Sequence, residues 1–204
     1  ETIDELANVS LENDISKEEK INIIKNITSQ AMSGEIDFPV ALQKRLEILS
    51  LNSDNIRLIT DRISNLVSDS FKRNRNIIKN CADRIWVVSG GFTEIICPIV
   101  AEYGIKDSHV IANTFVFDGD DVTGCDKSSA LFKDRGKIHA ISSIEANGDT
   151  VMLGDGYTDL EVYLEKAVNH FICYTENVKR EKVVLQSEYI ADSFEQVLKL
   201  LEEI

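Results

Sequence analysis

One stretch of the chain decides its fold: Val151-Met152-Leu153-Gly154-Asp155-Gly156-Tyr157-Thr158-Asp159. Its apolar beginning predicts a buried strand, because a short apolar run ended by glycine is typical of such strands. Asp155 then lies at the carboxyl end of the strand, where open α/β sheets bind their ligands. Asp159 falls in the first turn of the helix that follows. Two carboxylates at one strand tip favour a hard cation, and a tight turn with an aspartate helix cap is the alternative.

A second strand followed by a helix lies upstream. Ile85-Trp86-Val87-Val88 predicts another buried strand, which leads through Ser89-Gly90-Gly91-Phe92 into a helical pattern from Thr93 to Tyr103. Two glycines let the backbone approach a ligand closely, and the positive end of the helix dipole favours an anion. The serine hydroxyl can donate a hydrogen bond to a phosphate oxygen. This pattern therefore predicts a phosphate site.

The remaining periodicity divides the chain near Val67. Before it, apolar residues recur at helical spacing and predict a small helical bundle. After it, strands alternate with helices, which predicts an α/β fold with a parallel sheet covered on both faces. The acidic run Asp118-Gly119-Asp120-Asp121 between two β-prone segments predicts the turn of a hairpin over residues 114–124. Ser70–Lys79 and Val178–Gln186 are predicted as helices in this second part.

These two motifs, in this order, resemble the phosphate-binding and metal-binding motifs of the haloacid dehalogenase superfamily. More narrowly, the chain is similar to the branch of that superfamily that has a helical cap and hydrolyses phosphoserine. Further matching segments are Glu1–Ala7, Met32–Phe38, Ala41–Leu46 and Ala112-Asn113. The resemblance implies a Rossmann-like parallel-sheet core over residues 68–204 and an α-helical bundle cap domain over residues 1–67.

The resemblance places the nucleophile ahead of the given chain. In the family the nucleophile is the first aspartate of a DxDx[TV] motif at the end of the first core strand, a few residues before the segment that matches Glu1–Glu5. The chain starts at Glu1 without a methionine. We therefore expect the first core strand and the nucleophile upstream of residue 1. That strand would be central, and without it two neighbouring strands would lack a pairing partner.

The resemblance also assigns roles to residues of the chain. Asp155 would bind Mg²⁺ together with upstream acids, and Asp159 would orient a lysine that reaches the phosphate. The implied catalytic residues are Ser89, Gly90, Lys137 and Asp159, and the implied substrate-binding residues are Glu1, Met32, Phe38, Arg45 and Gly91. Met32 and Phe38 are equally consistent with plain core packing.

The phosphate lysine is chosen from a basic cluster ahead of a predicted helix, which contains Lys133, Arg135 and Lys137. A solvated loop explains at least two of these charges. The alignment with the family favours Lys137, and Arg135 is the alternative.

Arg45 lies on the apolar face of its predicted helix, with Ala41, Leu42 and Leu49. A charge on that face needs a partner, unless its stem packs and its head reaches solvent. In the family a matching arginine binds the substrate carboxylate through a bidentate contact, and an acid matching Glu1 receives the amino group. The pair would suit a small phosphorylated amino acid, because it offers opposite charges to a zwitterion.

Composition restricts the function further. A net charge of −13 argues against general nucleic-acid binding. No apolar run approaches the roughly 20 residues that span a bilayer, so we expect no membrane association and a cytoplasmic location. Four scattered cysteines are typical of reduced thiols. The expected assembly is a monomer or a homodimer.

The function implied by the resemblance is magnesium-dependent hydrolysis of phosphoserine through an aspartyl-phosphate intermediate. Two alternatives stay open. One is a non-catalytic or regulatory module on the same fold, and the other is a phosphatase of another small phosphomonoester.

Overall fold

Helices dominate the first third of the chain and alternate with strands after it. The computed structural model describes residues 2–12, 14–33 and 35–204. The helices are α1 Thr2–Ser10, α2 Lys17–Ser33, α3 Phe38–Leu49, α4 Ser53–Asn65, α5 Asp69–Arg73, α6 Arg75–Cys81, α7 Thr93–Ala101, α8 Gly136–Ser142, α9 Tyr157–Leu164, α10 Glu181–Val184 and α11 Phe194–Glu203. The strands are β1 Val87–Phe92, β2 Val110–Asn113, β3 Phe115–Asp118, β4 Asp121–Cys125, β5 Val151–Gly154, β6 His170–Tyr174 and β7 Tyr189–Ala191. The predicted α/β class is confirmed.

Two compact units divide the chain. The first contains Glu1–Leu66 and Asp83–Asp134, and the second contains Val67–Ala82 and Arg135–Ile204. The chain therefore leaves the first unit near residue 67, returns to it at 83 and leaves it again at 135. The predicted division into a cap over residues 1–67 and a core over residues 68–204 stays a prediction.

The first unit combines α1 to α4 with β1, α7 and β2 and the hairpin β3–β4. Apolar residues from the helices and from the strands share one core, which includes Leu6, Ile24, Leu49, Ile59, Phe92, Ile95 and Phe115. The rings of Phe92 and Phe115 stack with their centroids 3.8 Å apart. Burying a side chain of this size contributes about 1.5–3 kcal/mol, so this core fixes the end of β1 against the hairpin.

The parallel pair β1–β2 departs from prediction in one respect. The sequence predicted a strand that ends at Val88, but β1 continues to Phe92 through an irregularity between these two residues. The hairpin is confirmed, with Asp118 paired with Asp121 across its turn. Gly119 in that turn has φ +60°, a conformation that glycine adopts at little cost.

The second unit is built on a parallel three-stranded sheet in the order β5–β6–β7. Leu160 of α9 and Val183 of α10 pack with Phe171 and Cys173 of β6 in its core. Within the described part of the chain, β5 pairs only with β6, and β1 of the first unit pairs only with β2. The predicted helix over Val178–Gln186 is shorter than expected, since α10 covers four residues.

A buried hydroxyl ties α5 to the end of β6 in this unit. Ser70 is fully buried, and its Oγ accepts a hydrogen bond from the Phe194 N–H at 2.8 Å. Ser70 and Tyr174 both donate to Glu176. Burial alone would raise the pKa of Glu176, but the hydrogen bonds from Ser70 and Tyr174 outweigh it and lower that pKa. This network holds together segments that are more than 100 residues apart in the chain.

The single helix predicted over Ser70–Lys79 is wrong, because the structure contains α5 and α6 with Asn74 between them. The side-chain amide of Asn74 donates to Ser70 O at 2.8 Å and to Glu195 Oε1 at 2.9 Å. Side chains of this type compete with the helix for backbone carbonyls, which accounts for the break.

None of the helices in the described ranges combines the length and the apolar character that a bilayer-spanning segment requires.

Candidate functional site

The turn after β5 brings a carboxylate back against its own strand. Asp155 directly follows β5, and Asp159 lies in the first turn of α9, as the sequence predicted. Asp159 is only 6% exposed, and its Oδ2 accepts the Gly156 N–H at 3.1 Å. Because a buried carboxylate must be hydrogen-bonded to be tolerated, this contact helps to fix its orientation.

Lys137 supplies the second contact of Asp159. Its Nζ donates to Asp159 Oδ1 at 2.5 Å, with the two side chains 20% and 9% exposed. Both carboxylate oxygens of Asp159 are therefore engaged. An ion pair this well shielded from water holds its ammonium group more firmly than a surface pair would.

Arg135 lies elsewhere. It precedes α8 in a left-handed conformation with φ 53°. Its guanidinium lies 3.7 Å from Glu161 of α9 and 2.6 Å from Glu165, which directly follows that helix. Between the two alternatives left open by the sequence, Lys137 is the one in contact with the motif carboxylate. Its role at phosphate stays a prediction.

Gly154 makes the close approach of Asp159 possible. A Cβ atom at residue 154 would lie 2.4 Å from both Cγ and Oδ2 of Asp159, well inside van der Waals contact. At Gly156 the corresponding distance to Oδ2 is 3.2 Å. The first glycine of the Gly-Asp-Gly motif is thus required by sterics, and not only by the turn.

Asp155 has a different environment from Asp159. Arg180, from the loop after β6, donates its Nε–H to Asp155 Oδ2 at 3.2 Å, and both side chains are partly exposed. Asp155 therefore presents a carboxylate at the strand tip, with oxygen chemistry that suits Mg²⁺. The described residues contain no group of three or more His, Cys, Asp or Glu side chains placed to hold a metal. Asp155 thus fits as one ligand of a magnesium site that needs further oxygen donors.

In the first unit, Ser89, Gly90 and Gly91 form a turn inside β1. The Ser89 hydroxyl oxygen accepts the Gly91 N–H at 3.1 Å, and the Gly90 carbonyl accepts a hydrogen bond from the side-chain amide of Asn113 at 3.0 Å. The helix α7 begins at Thr93, directly after this turn. A serine hydroxyl, glycine N–H groups and a helix start are the donors that an anion requires.

Arg45 is buried in the helical part of the same unit. It is 6% exposed and lies on the same helix face as Ala41 and Leu49, so the alternative in which its head group reaches solvent does not hold. Its Nε–H donates to Ala41 O at 3.1 Å, and its Nη1 donates to Thr28 Oγ1 at 3.3 Å. These two hydrogen bonds help to fix the orientation of the guanidinium.

The structure thus brings the predicted residues together in three groups. Lys137 and Asp159 are in contact near Asp155 in the second unit; Ser89, Gly90 and Gly91 form one turn in the first unit; and Arg45 lies in α3. The predicted substrate residue Glu1 lies outside the described residues. Met32 belongs to α2 and Phe38 to α3, but their side chains lie outside the described part.

One segment of the chain matches the sequence pattern of the nucleophile motif. Asp118 to Val122 reads D-x-D-x-V, but it occupies the exposed turn of the antiparallel hairpin and not the carboxyl end of a parallel strand. It therefore does not have the structural position of that motif.

Sequence reasoning missed two contacts at these sites. No local sequence pattern indicated the contact of Arg180 with Asp155. It follows only from the pairing of β6 with β5, which places the loop after β6 beside Asp155. The contact of Asn113 with Gly90 had a clearer indication in the sequence, because Asn113 is a polar residue at the end of a buried strand.

Comparison with known proteins finds relatives within one superfamily. A family model of the haloacid dehalogenase-like hydrolases matches residues 75–163. Phosphoserine phosphatase of Drosophila melanogaster is 31% identical over 86% of the chain, which spans 66% of that protein. The chloroplastic phosphoserine phosphatase of Arabidopsis thaliana is 28% identical over 86% of the chain, which spans 61% of it. The chain thus covers a little under two thirds of these two relatives.

The other relatives are covered more completely. Phosphoserine phosphatase of Homo sapiens is 27% identical over the whole chain, which spans 88% of that protein. The crystal structure of a phosphoserine phosphohydrolase-like protein from Francisella tularensis superposes with a TM-score of 0.80 at 26% identity, covering 98% of this chain and 92% of the other. The chain belongs to the haloacid dehalogenase-like hydrolase superfamily, in which its relatives are phosphoserine phosphatases.

Proposed function

We propose that the protein is a magnesium-dependent phosphoserine phosphatase, which converts L-phosphoserine to L-serine and phosphate through an aspartyl-phosphate intermediate. The observation that carries the proposal is the Lys137–Asp159 pair at the tip of β5, beside Asp155. A shielded ammonium group held by a motif acid at a strand end is suited to a phosphate oxygen.

The residues of the chain divide the work of binding the phosphoryl group. In the first unit the Ser89 hydroxyl is proposed to donate a hydrogen bond to a phosphoryl oxygen, and in the second unit Lys137 is proposed to supply a positive charge, as the resemblance implies for each of them. Donors that are already fixed in place stabilise the charge that develops in the transition state at little cost in reorganisation. Asp159 keeps Lys137 in position. Bound at Asp155, Mg²⁺ would supply further neutralisation of phosphoryl charge.

The nucleophile is assigned to the Asp-x-Asp motif that the resemblance places before residue 1. Its first aspartate would attack phosphorus, and its second would protonate the departing serine oxygen and then activate water. No residue within 1–204 is assigned either role.

Arg45 is proposed as the residue that selects an amino-acid substrate. Its guanidinium is buried and oriented by hydrogen bonds to Ala41 O and Thr28 Oγ1, and the family resemblance places a carboxylate-binding arginine at this position. The carboxylate of phosphoserine is its proposed partner, and Glu1 is proposed to receive the amino group.

The test is a comparison of two substrates in the full-length protein. We expect Arg45→Ala to raise KM for phosphoserine about 30-fold or more, since a charge-assisted contact contributes about 2 kcal/mol. KM for p-nitrophenyl phosphate, which has no carboxylate, should change less than about threefold. Arg57→Ala is the matched control, because Arg57 is 80% exposed on α4.

Three outcomes separate the parts of the proposal. An equal effect of Arg45→Ala on both substrates would remove Arg45 from the substrate site. Turnover of p-nitrophenyl phosphate but not phosphoserine by the wild type would point to another small phosphomonoester. Persistent magnesium-dependent turnover in Asp155→Asn would show that Asp155 is not a metal ligand.

A further inference from the structure

The turn that contains Ser89, Gly90 and Gly91 is a widened bulge in β1. In the register of the parallel pair, Val88 lies opposite Ile111 and Phe92 opposite Asn113. Between these two pairs β1 advances by four residues and β2 by two, so β1 contains two extra residues in this interval. A bulge removes backbone groups from the ladder, and those groups need other partners when they are shielded from water.

Asn113 supplies one of those partners. Its side chain is fully buried, and its Nδ2 donates to the Gly90 carbonyl at 3.0 Å. In the described residues its Oδ1 is buried and has no hydrogen-bond partner. Leaving a buried polar atom unsatisfied costs about 1–3 kcal/mol, so packing alone gives no reason for an amide at this position. The contact with Gly90 does give one.

The hydrogen bond from Asn113 controls more than the Gly90 carbonyl. Because the peptide between Gly90 and Gly91 is planar and rigid, the direction of the carbonyl also sets the direction of the Gly91 N–H. That N–H in turn donates to Ser89 Oγ at 3.1 Å. Asn113, one peptide group and the serine hydroxyl are therefore linked in a continuous series, in which each hydrogen bond polarises the next.

We propose that Asn113 is a positioning residue for anion binding: through the Gly90–Gly91 peptide and the Gly91 N–H that Ser89 Oγ accepts, it orients the Ser89 hydroxyl so that its O–H can donate to a phosphoryl oxygen. The inference depends on the proposed function only for the identity of the substrate. The hydrogen bonds that support it lie wholly within the first unit: one joins β2 to β1, and the other lies within β1. Asn113 itself touches neither substrate nor metal in this account.

The decisive variant is Asn113→Asp, which keeps the shape of the side chain. An ionised carboxylate cannot donate to the Gly90 carbonyl and repels it. A protonated carboxyl group can donate, and burial favours the protonated form. The variant should therefore lose the turn geometry at high pH and recover it at low pH. A residue that only fills space would give no such recovery.

Two measurements read out the geometry. The first is the shift of the Gly91 amide resonance on titration with sulfate, a dianion whose charge is constant between pH 5 and 8. We expect sulfate to bind Asn113→Asp at least about tenfold more weakly than the wild type at pH 8, with the difference shrinking towards pH 5. The second is phosphoserine turnover, where kcat should fall about 10- to 100-fold with a smaller change in KM, since displaced donors act mainly in the transition state.

Asn74→Asp is the matched control. Asn74 is also buried and also donates to a backbone carbonyl, that of Ser70, but it lies in the other unit. It should lower the free energy of unfolding without changing the pH dependence of sulfate binding. If Asn113→Asp behaves like Asn74→Asp in sulfate binding and in kcat, Asn113 has a structural role only and the proposal is overturned.

The wild type provides a test that does not depend on the folding of a variant. The side-chain NH₂ resonances of Asn113 should shift together with the Gly91 amide as sulfate is added, and the absence of this joint shift would overturn the proposal. If both shifts occur and the wild type does not hydrolyse phosphoserine, the positioning role of Asn113 stands and the proposed substrate falls.

Discussion

Gly154→Ala tests whether the Lys137–Asp159 pair depends on the missing side chain of residue 154. The added Cβ would lie 2.4 Å from Cγ and Oδ2 of Asp159. Carbon atoms in contact prefer about 3.5–4.0 Å, so the carboxyl group must move by about 1 Å. The backbone of β5 cannot easily give way instead, because it is paired with β6 along its whole length.

The displacement has two consequences of known size. Overpacking of this kind costs about 1–3 kcal/mol of unfolding free energy. Moving an active-site group by about 1 Å reduces catalysis about 100-fold, and Lys137 must follow Asp159 or lose its contact. We therefore expect a moderate loss of stability and a large loss of kcat/KM for phosphoserine.

The assay is a series of three glycine-to-alanine variants, each measured by chemical denaturation and by phosphatase kinetics. The nearest atom to the new Cβ is 2.4 Å away at Gly154, 3.2 Å at Gly156 and 3.8 Å at Gly124. The loss of activity should follow this order, with Gly124→Ala close to the wild type. Equal activity in Gly154→Ala and Gly124→Ala would refute the steric argument.

Two further predictions concern charged groups. Arg180→Gln should strengthen the binding of Mg²⁺ up to about fivefold in calorimetric titration, because the metal must displace Arg180 from Asp155 and an exposed ion pair of this kind contributes about 0–1 kcal/mol. Arg73→Gln is the control, since it breaks a similar pair with Glu195. Weaker binding in Arg180→Gln would contradict this competition. Hydrogen bonds from Lys20 and Ser16 lower the pKa of Asp14 to about 2, so its stabilisation is complete above about pH 4 and is lost as the pH falls towards 2. Asp14→Asn should therefore flatten the dependence of Tm on pH in this window, and an unchanged slope would rule the contribution out.

The turn after β5 could be predicted because its signals are local. Glycine ends the apolar run at residue 154, and Asp155 follows it directly. The end of the strand and the candidate site residue are therefore both indicated by adjacent residues of the sequence. The position of Arg45 on the apolar face of α3 was predicted for the same reason, since helical spacing alone places it on the same face as Ala41 and Leu49. Whether its head group is buried or reaches solvent was left open, and the structure buries it.

The contacts that escaped prediction depend on which strands are neighbours. Arg180 meets Asp155 only because β6 pairs with β5, and Asn113 meets Gly90 only because β2 pairs with a bulged β1. The bulge itself was missed because a serine followed by two glycines is typical of the end of a strand. Phe92 resumes the pairing with Asn113, and its burial against Phe115 is a tertiary effect.

The path of the chain between the two units governs the order in which they can fold. Residues 67–82 leave the ribosome before residues 83–134, yet they belong with residues 135–204. Ser70 can contact Tyr174, Glu176 and the start of α11 only after residue 194 has been synthesised. Contacts this distant in sequence form slowly and leave a segment exposed in the meantime. During translation, α5 and α6 must therefore wait for their packing partners while residues 83–134 are synthesised.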